Sequence, residues 1–169
     1  MIDRIVSEIN NAIEAGNPVS GNIELYGIAK IHELEEERYP AIRIDKDWYR
    51  ISLDDRNDLT AYHRIEGITL ETDDEFDFSS SVEENSEVYD MVMIIALNGF
   101  CYSEEKVSEI RKLFPGVFNG YGFINTTEIE TDQDEIVSDE WGSISYLDHK
   151  TPFNVYRIKY EVQIINCHG

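Results

Sequence analysis

Basic residues are scarce in this chain: 14 Lys and Arg stand against 35 Asp and Glu, a formal net charge of −21 over 169 residues. That shortage argues against direct nucleic-acid binding, which needs clustered cations to neutralise phosphates. Cysteine is almost lacking too. Cys101 and Cys167 make no disulfide framework and read as bland buried or edge thiols. No run approaches the roughly 18 apolar residues of a membrane span, and the first residues lack the apolar stretch of a signal peptide, so the expectation is a soluble, intracellular chain with no membrane partner. The sequence has no glycine-rich phosphate loop and no glycine-flanked serine elbow. His32, His63, His149 and His168 are scattered, and although His168 adjoins Cys167, that pair alone lacks two zinc ligands. Asn125-Thr126-Thr127 satisfies a glycosylation pattern, read as chance in a chain without a secretion signal.

A chain this acidic without a packable pattern would be disordered, but this one has such a pattern. Over residues 156–164, Tyr156, Ile158, Tyr160, Val162 and Ile164 fall on one face and Arg157, Lys159, Glu161 and Gln163 on the other, the period of two of a half-buried strand. Ile2, Ile5, Val6, Ile9 and Ile13 recur at helical spacing and predict an amphipathic helix stopping at Gly16, with Pro18 just beyond. Residues 23–31 alternate as a strand, 33–38 break the pattern, 39–44 restart an extended run around Pro40 and 48–53 continue it. Residues 54–58 are a turn-type cluster, and 65–71 offer one more short strand. The run 88–97 is apolar on both faces and belongs at the centre of a sheet. Ser103 can cap a second helix whose stripe is Val107, Ile110, Leu113 and Phe114, with Glu104 and Glu105 in its first turn and Pro115-Gly116 at its end. Residues 121–130 give a further strand. The expected fold is therefore α+β: one domain, 1–169, with a mostly antiparallel sheet flanked by two principal helices.

Two stretches, 71–87 and 131–142, carry acidic residues and no Lys or Arg, so mutual repulsion predicts long loops or arms. Their candidates for an interface or a channel lining are Asp73, Asp74, Glu75, Asp77, Glu83, Glu84, Asp132, Asp134, Glu135 and Trp141. Trp141, beside Gly142 in an acidic stretch, is expected to be exposed, as interface anchors are. Trp48, Tyr49, Tyr89, Tyr102, Tyr121, Tyr156 and Tyr160 are expected to pack on the sheet. Asp73-Asp74-Glu75 and Asp132-Gln133-Asp134 offer oxygen ligands, but neither has the alternating set or the sixth-position glycine of a calcium loop. With 35 acids, no pair stands out as the contrasting carboxylates of an acid–base mechanism. The expectation is a protein that is not an enzyme, with no catalytic residue, cofactor or metal.

The helix at the start, the extended run Tyr39-Pro40-Ala41-Ile42-Arg43-Ile44, the apolar strand 88–97 leading into a helix at 103–114, and the closing strands together resemble tail-terminator and head-to-tail connector proteins of tailed bacteriophages. The resemblance implies a homo-oligomeric ring in the virion, assembled in the host cytoplasm. It would contact portal, adjacent connector or tail-tube proteins, and DNA would pass without specific binding. A channel lined with carboxylates repels phosphate and lets DNA slide. Two alternatives stand beside it: an acidic inhibitor or immunity protein that imitates nucleic acid and blocks a basic enzyme, and an enzyme or ligand-binding domain whose site the sequence conceals.

Overall fold

A computed structural model describes residues 1–72, 83–118, 122–142 and 153–168. Twelve elements follow in order: α1 (Ile2–Gly16), β1 (Asn22–Ile28), β2 (Lys30–Leu34), β3 (Glu37–Ile44), β4 (Asp47–Arg50), β5 (Asn57–Thr72), β6 (Glu83–Asn98), α2 (Glu104–Lys112), β7 (Val117–Phe118), β8 (Gly122–Glu130), α3 (Gln133–Trp141) and β9 (Phe153–His168). The fold is α+β. A six-stranded sheet has the order β1-β5-β6-β9-β8-β7, and a separate meander has the order β2-β3-β4. Every pairing is antiparallel except β1 with β5.

The apolar run 88–97 lies in β6, between β5 and β9. Its alternate side chains feed two cores. Met91, Met93, Ile95 and Leu97 join Ile158, Tyr160 and Val162 of β9 under α1 and α2. Val92, Ile94 and Ala96 join Tyr62 of β5, Val155 of β9, and Ile136, Val137 and Trp141 of α3. A strand buried on both faces reads as a continuous apolar run, and this one does so for that reason.

Helix α1 presents Ile5, Val6, Ile9 and Ile13 to the first core. It stops at Gly16, as the sequence predicts, and Asn17 takes the left-handed conformation (φ 46°) just beyond, its N–H bonding back to the carbonyls of Ile13 and Glu14. Gly16 serves close approach instead, since a Cβ there would lie 2.7 Å from the Leu113 methyls. Ser103 occupies the N-cap of α2 in extended conformation without a side-chain cap bond.

Four sequence expectations need correction. The stretch 23–31 is two strands in two sheets, parted at Ala29, whose N–H bonds to the His63 carbonyl at 2.7 Å. The short strand expected at 65–71 is the far end of a 16-residue strand, β5, which takes in Asn57 and Asp58 from the turn cluster. The acidic arm 71–87 is partly ladder: Glu71 pairs with Ser86, Thr72 with Asn85, and Glu83 and Glu84 with His168 and Cys167. Asp73, Asp74, Glu75 and Asp77 lie outside the described residues. The acidic loop 131–142 is helix α3, a third helix where two were expected.

Candidate interaction surfaces

Helix α3 shows how an acidic segment folds here. Asp132 caps it, Oδ1 accepting from the Glu135 N–H at 3.2 Å, and Asp134 and Glu135 occupy the first turn, where carboxylates meet the positive end of the helix dipole. Ile136, Val137, Glu140 and Trp141 face inward. Trp141 is thus no exposed anchor: it is 4% exposed and meets the edge of the Tyr62 ring at 6.1 Å between centroids. Gly142 closes the helix at φ 75° against Arg38, whose Cβ lies 3.0 Å from where a Cβ on this glycine would be. Gln133 donates to the carbonyl and accepts from the N–H of Val155, bonding β9 where β8 has ended.

Buried ions tie α3 to the sheet. Nε and Nη2 of Arg64 both lie 2.7 Å from Oε1 of the fully buried Glu140. Burial raises the Glu140 pKa, with Arg64 opposing it. Oε2 of Glu140 and the Tyr62 hydroxyl are both buried without a well-formed hydrogen bond. They are near enough for the carboxylate charge to add to burial in raising the phenol pKa. Arg157, 5% exposed, bonds Glu130 through Nε at 2.7 Å and Asp139 through Nη1 at 3.0 Å. Burial works against its charge and these acids more than restore it, so its pKa rises. Lys159 completes the group, 2.9 Å from Glu130.

The opposite face buries His63. Its Nδ1 lies 2.7 Å from the Tyr160 hydroxyl and its Nε2 lies 2.8 Å from Asn10 Oδ1, while Asn10 Nδ2 donates to the Tyr26 carbonyl. That last bond fixes the Asn10 amide, so Nε2 donates to it and Nδ1 accepts from the tyrosine. Burial pushes the His63 pKa down to about 3. The imidazole is neutral and fully used in structural bonds.

On the α3 side, β5 and β8 carry β-bulges at the same level of the sheet, between Ile65 and Gly67 and between Thr126 and Glu128. Beside them Glu66, Asp90, Met91, Thr127, Lys159, Tyr160 and Glu161 line an open concavity of about 410 Å³. Asp90 stands directly opposite Glu161, a like-charge pair that opposes the ladder. Lys159 is committed to Glu130, which raises its pKa, so it is charged and unsuited to act as a base. No group of three acids, histidines or cysteines among the described residues has the geometry to hold a metal ion.

The meander carries the surface that the sequence reading missed. Its two-residue turns put Glu35 (φ 53°) and Asp45 (φ 58°) in the left-handed region, at the position where such turns usually take glycine. One face packs Ile42 and Ile51 toward α3. The register puts Lys30, His32, Leu34, Glu37, Tyr39, Ala41, Arg43, Trp48 and Arg50 on the other face. Ala41 is small, so Trp48 can reach from β4 across β3 to β2. Its ring lies 4.8 Å from His32, and the Lys30 ammonium is 6.0 Å from its centroid. Arg50 lies 4.0 Å over Tyr39 and bonds Glu37 at 2.8 Å. Trp48 is 39% exposed and packs on the sheet surface as expected, while Tyr49, on the opposite face, is 51% exposed. The available signal was the i, i+2 spacing of Lys30 with His32 and of Trp48 with Arg50.

Charge is segregated accordingly. Residues 30–50 hold five basic and six acidic side chains, and the rest of the chain holds nine basic and 29 acidic. Of the acidic candidates, Asp132, Asp134 and Glu135 come together as an exposed turn at the start of α3. Glu83 and Glu84 lie apart from them on β6. A third surface is the outer edge of β5, which has no partner strand beyond His63 among the described residues; Ile68 and Leu70 there are 59% and 65% exposed. No protein-family model matches the chain, and no curated protein matches it.

Proposed function

We propose that this chain is a non-enzymatic subunit of a homo-oligomeric ring at the neck or tail of a phage particle, a tail terminator or head-to-tail connector whose acidic surface faces the DNA path. The observation that carries the reading is the segregation of charge: one subunit bears a cationic, aromatic sheet face and, elsewhere, an acidic surface. Two unlike and complementary patches on one subunit are what heterologous contacts need, and such contacts close into a ring when the rotation between neighbours allows it. The remaining acidic surface repels phosphate and releases no counterions, so it suits passage of DNA rather than its capture. The outer edge of β5 beyond His63, which has no partner strand among the described residues and has Ile68 and Leu70 beside it, suits contact with a portal, connector or tail-tube neighbour through strand addition or apolar burial.

Cosedimentation with purified portal rings or tail tubes, followed by negative-stain imaging, tests the reading. Discs with an axial hole seated on the end of the partner are expected. A chain that stays monomeric with every partner and instead tightly inhibits a basic nuclease overturns the reading in favour of an acidic inhibitor that mimics nucleic acid.

A further inference from the structure

We infer that the outward face of the β2-β3-β4 meander docks a second copy of this chain, and that it receives the acidic first turn of that copy's α3. The inference rests on the ring reading and names the surfaces that meet.

The receiving face is built in advance. Lys30 lies over Trp48 and Arg50 over Tyr39, with His32 4.8 Å from the Trp48 ring and 5.8 Å from the Tyr39 ring. Cations laid on aromatic rings keep their apolar stems ordered, which lowers the entropy lost on binding; Arg50 Nη2 is engaged by Glu37 of the same face at 2.8 Å, so Lys30 and Arg43 carry the contact. Arg43, opposite Trp48 in the ladder and exposed, extends the positive strip. An aromatic floor with guanidinium and ammonium groups above it fits carboxylates carried on a rigid element.

The donor surface is the start of α3. Asp132, Asp134 and Glu135 are exposed, and among the described residues Asp132 and Asp134 make no ion pair. Glu135 lies 3.9 Å from the buried Arg157. Within one subunit the two surfaces are kept from each other, because α3 packs on the inward face of the meander. Arg38 Nε donates to the Asp139 carbonyl there, which leaves the outward face for another chain. One patch then meets a different patch on the neighbour, a head-to-tail contact. Charge also sets a salt dependence. At low ionic strength two bodies of charge −21 repel over long range; at about 0.1–0.3 M that repulsion is screened beyond roughly 10 Å while pairs in contact persist, and near 1 M the contacts weaken too. Association therefore passes through a maximum.

Two exposed double variants test the contact: Lys30→Glu/Arg43→Glu on the receiving face and Asp134→Lys/Glu135→Lys on the donor turn, with Lys30→Gln/Arg43→Gln as a milder version of the first. Circular dichroism melts confirm that each is folded, and sedimentation velocity reads mass. Each charge-reversed variant alone should lose at least tenfold in self-association and the glutamine version less. An equimolar mixture of the two reversed variants should regain association that neither shows alone, because the native turn of one meets the native face of the other and the reversed lysines meet the reversed glutamates. If the folded variants assemble as the parent chain does, the contact is wrong and the ring reading stands. If the parent chain also stays monomeric at every salt concentration and with templates, the contact and the ring reading fall together.

Discussion

The two faces of the six-stranded sheet solve the same problem with different chemistry. Under α1 and α2 the packing is almost wholly aliphatic and aromatic, and its buried histidine, His63, is neutral and hydrogen-bonded. Under α3 and the meander the core is smaller and is closed by ions, Arg64 with Glu140 and Arg157 with Glu130 and Asp139. The first face holds its helices by area removed from water. The second holds α3 by charge pairs whose burial is costly unless every partner is present. The comparison teaches that a very acidic chain can bury carboxylates where they fix an otherwise weakly apolar helix.

The strongest test of that comparison strikes both faces through one strand. Ile94 and Ile95 are neighbours in β6, at most 1% exposed, and point to opposite cores. Ile94→Asp and Ile95→Asp should each abolish folding, at a cost above about 4 kcal/mol, because each buries an unpaired charge. A soluble variant with a cooperative melt at either position would show that its face does not need the central strand.

Breaking one ion pair comes next. Arg64→Met leaves Glu140 buried without its partner and should cost about 3–5 kcal/mol, and the double variant Arg64→Met/Glu140→Met should recover most of it. Urea unfolding measures both. Equal losses in the single and double variants would mean that α3 depends on the ions for more than mutual compensation.

The apolar face should declare itself through pH. The pKa of His63 is about 3 when folded and near 6.5 in its unperturbed state, so the unfolded chain takes up the proton first. Its contribution is intact above about pH 6.5 and declines as pH falls toward 3, losing about 2 kcal/mol by pH 5. Glu140 acts in the opposite sense, since its raised folded pKa makes stability fall as pH rises through that value. The His63 effect is therefore the difference between the parent chain and His63→Phe. Parallel stability curves for the two between pH 5 and pH 7, read by urea unfolding, would contradict the assignment.

The smallest effect expected is at Tyr62. Its hydroxyl is buried without a well-formed hydrogen bond, so Tyr62→Phe should change stability by less than about 1 kcal/mol, in the stabilising direction. A loss above about 2 kcal/mol would place a strong bond between this hydroxyl and Glu140.

These two faces also differ in how legible they were. Ile5, Val6, Ile9 and Ile13 of α1 and the alternation from Tyr156 to Ile164 state the first face directly, because apolar side chains mark its period. Residues 131–142 look like a loop in sequence because Glu140 occupies a core position where periodicity expects an apolar side chain, and its partner Arg64 is 76 residues away. Trp141 followed the same error: an aromatic among acids looks exposed until the helix is known. At the meander, the strand 23–31 keeps its alternation through Ala29 while the chain leaves one sheet for the other, a change that pairing partners decide and local pattern does not. The cationic face was hidden for a related reason. Lys30, Tyr39 and Trp48 come from three strands and become neighbours only through register.

The central claim is that this chain assembles with copies of itself through unlike, oppositely charged surfaces. Mass photometry of the purified chain, from about 20 mM to 1 M salt, tests it most directly. The account predicts monomers at the low end, one closed multimer of fixed subunit number at intermediate salt, and a return toward monomer at the high end. A single monomer mass across the whole series would contradict it.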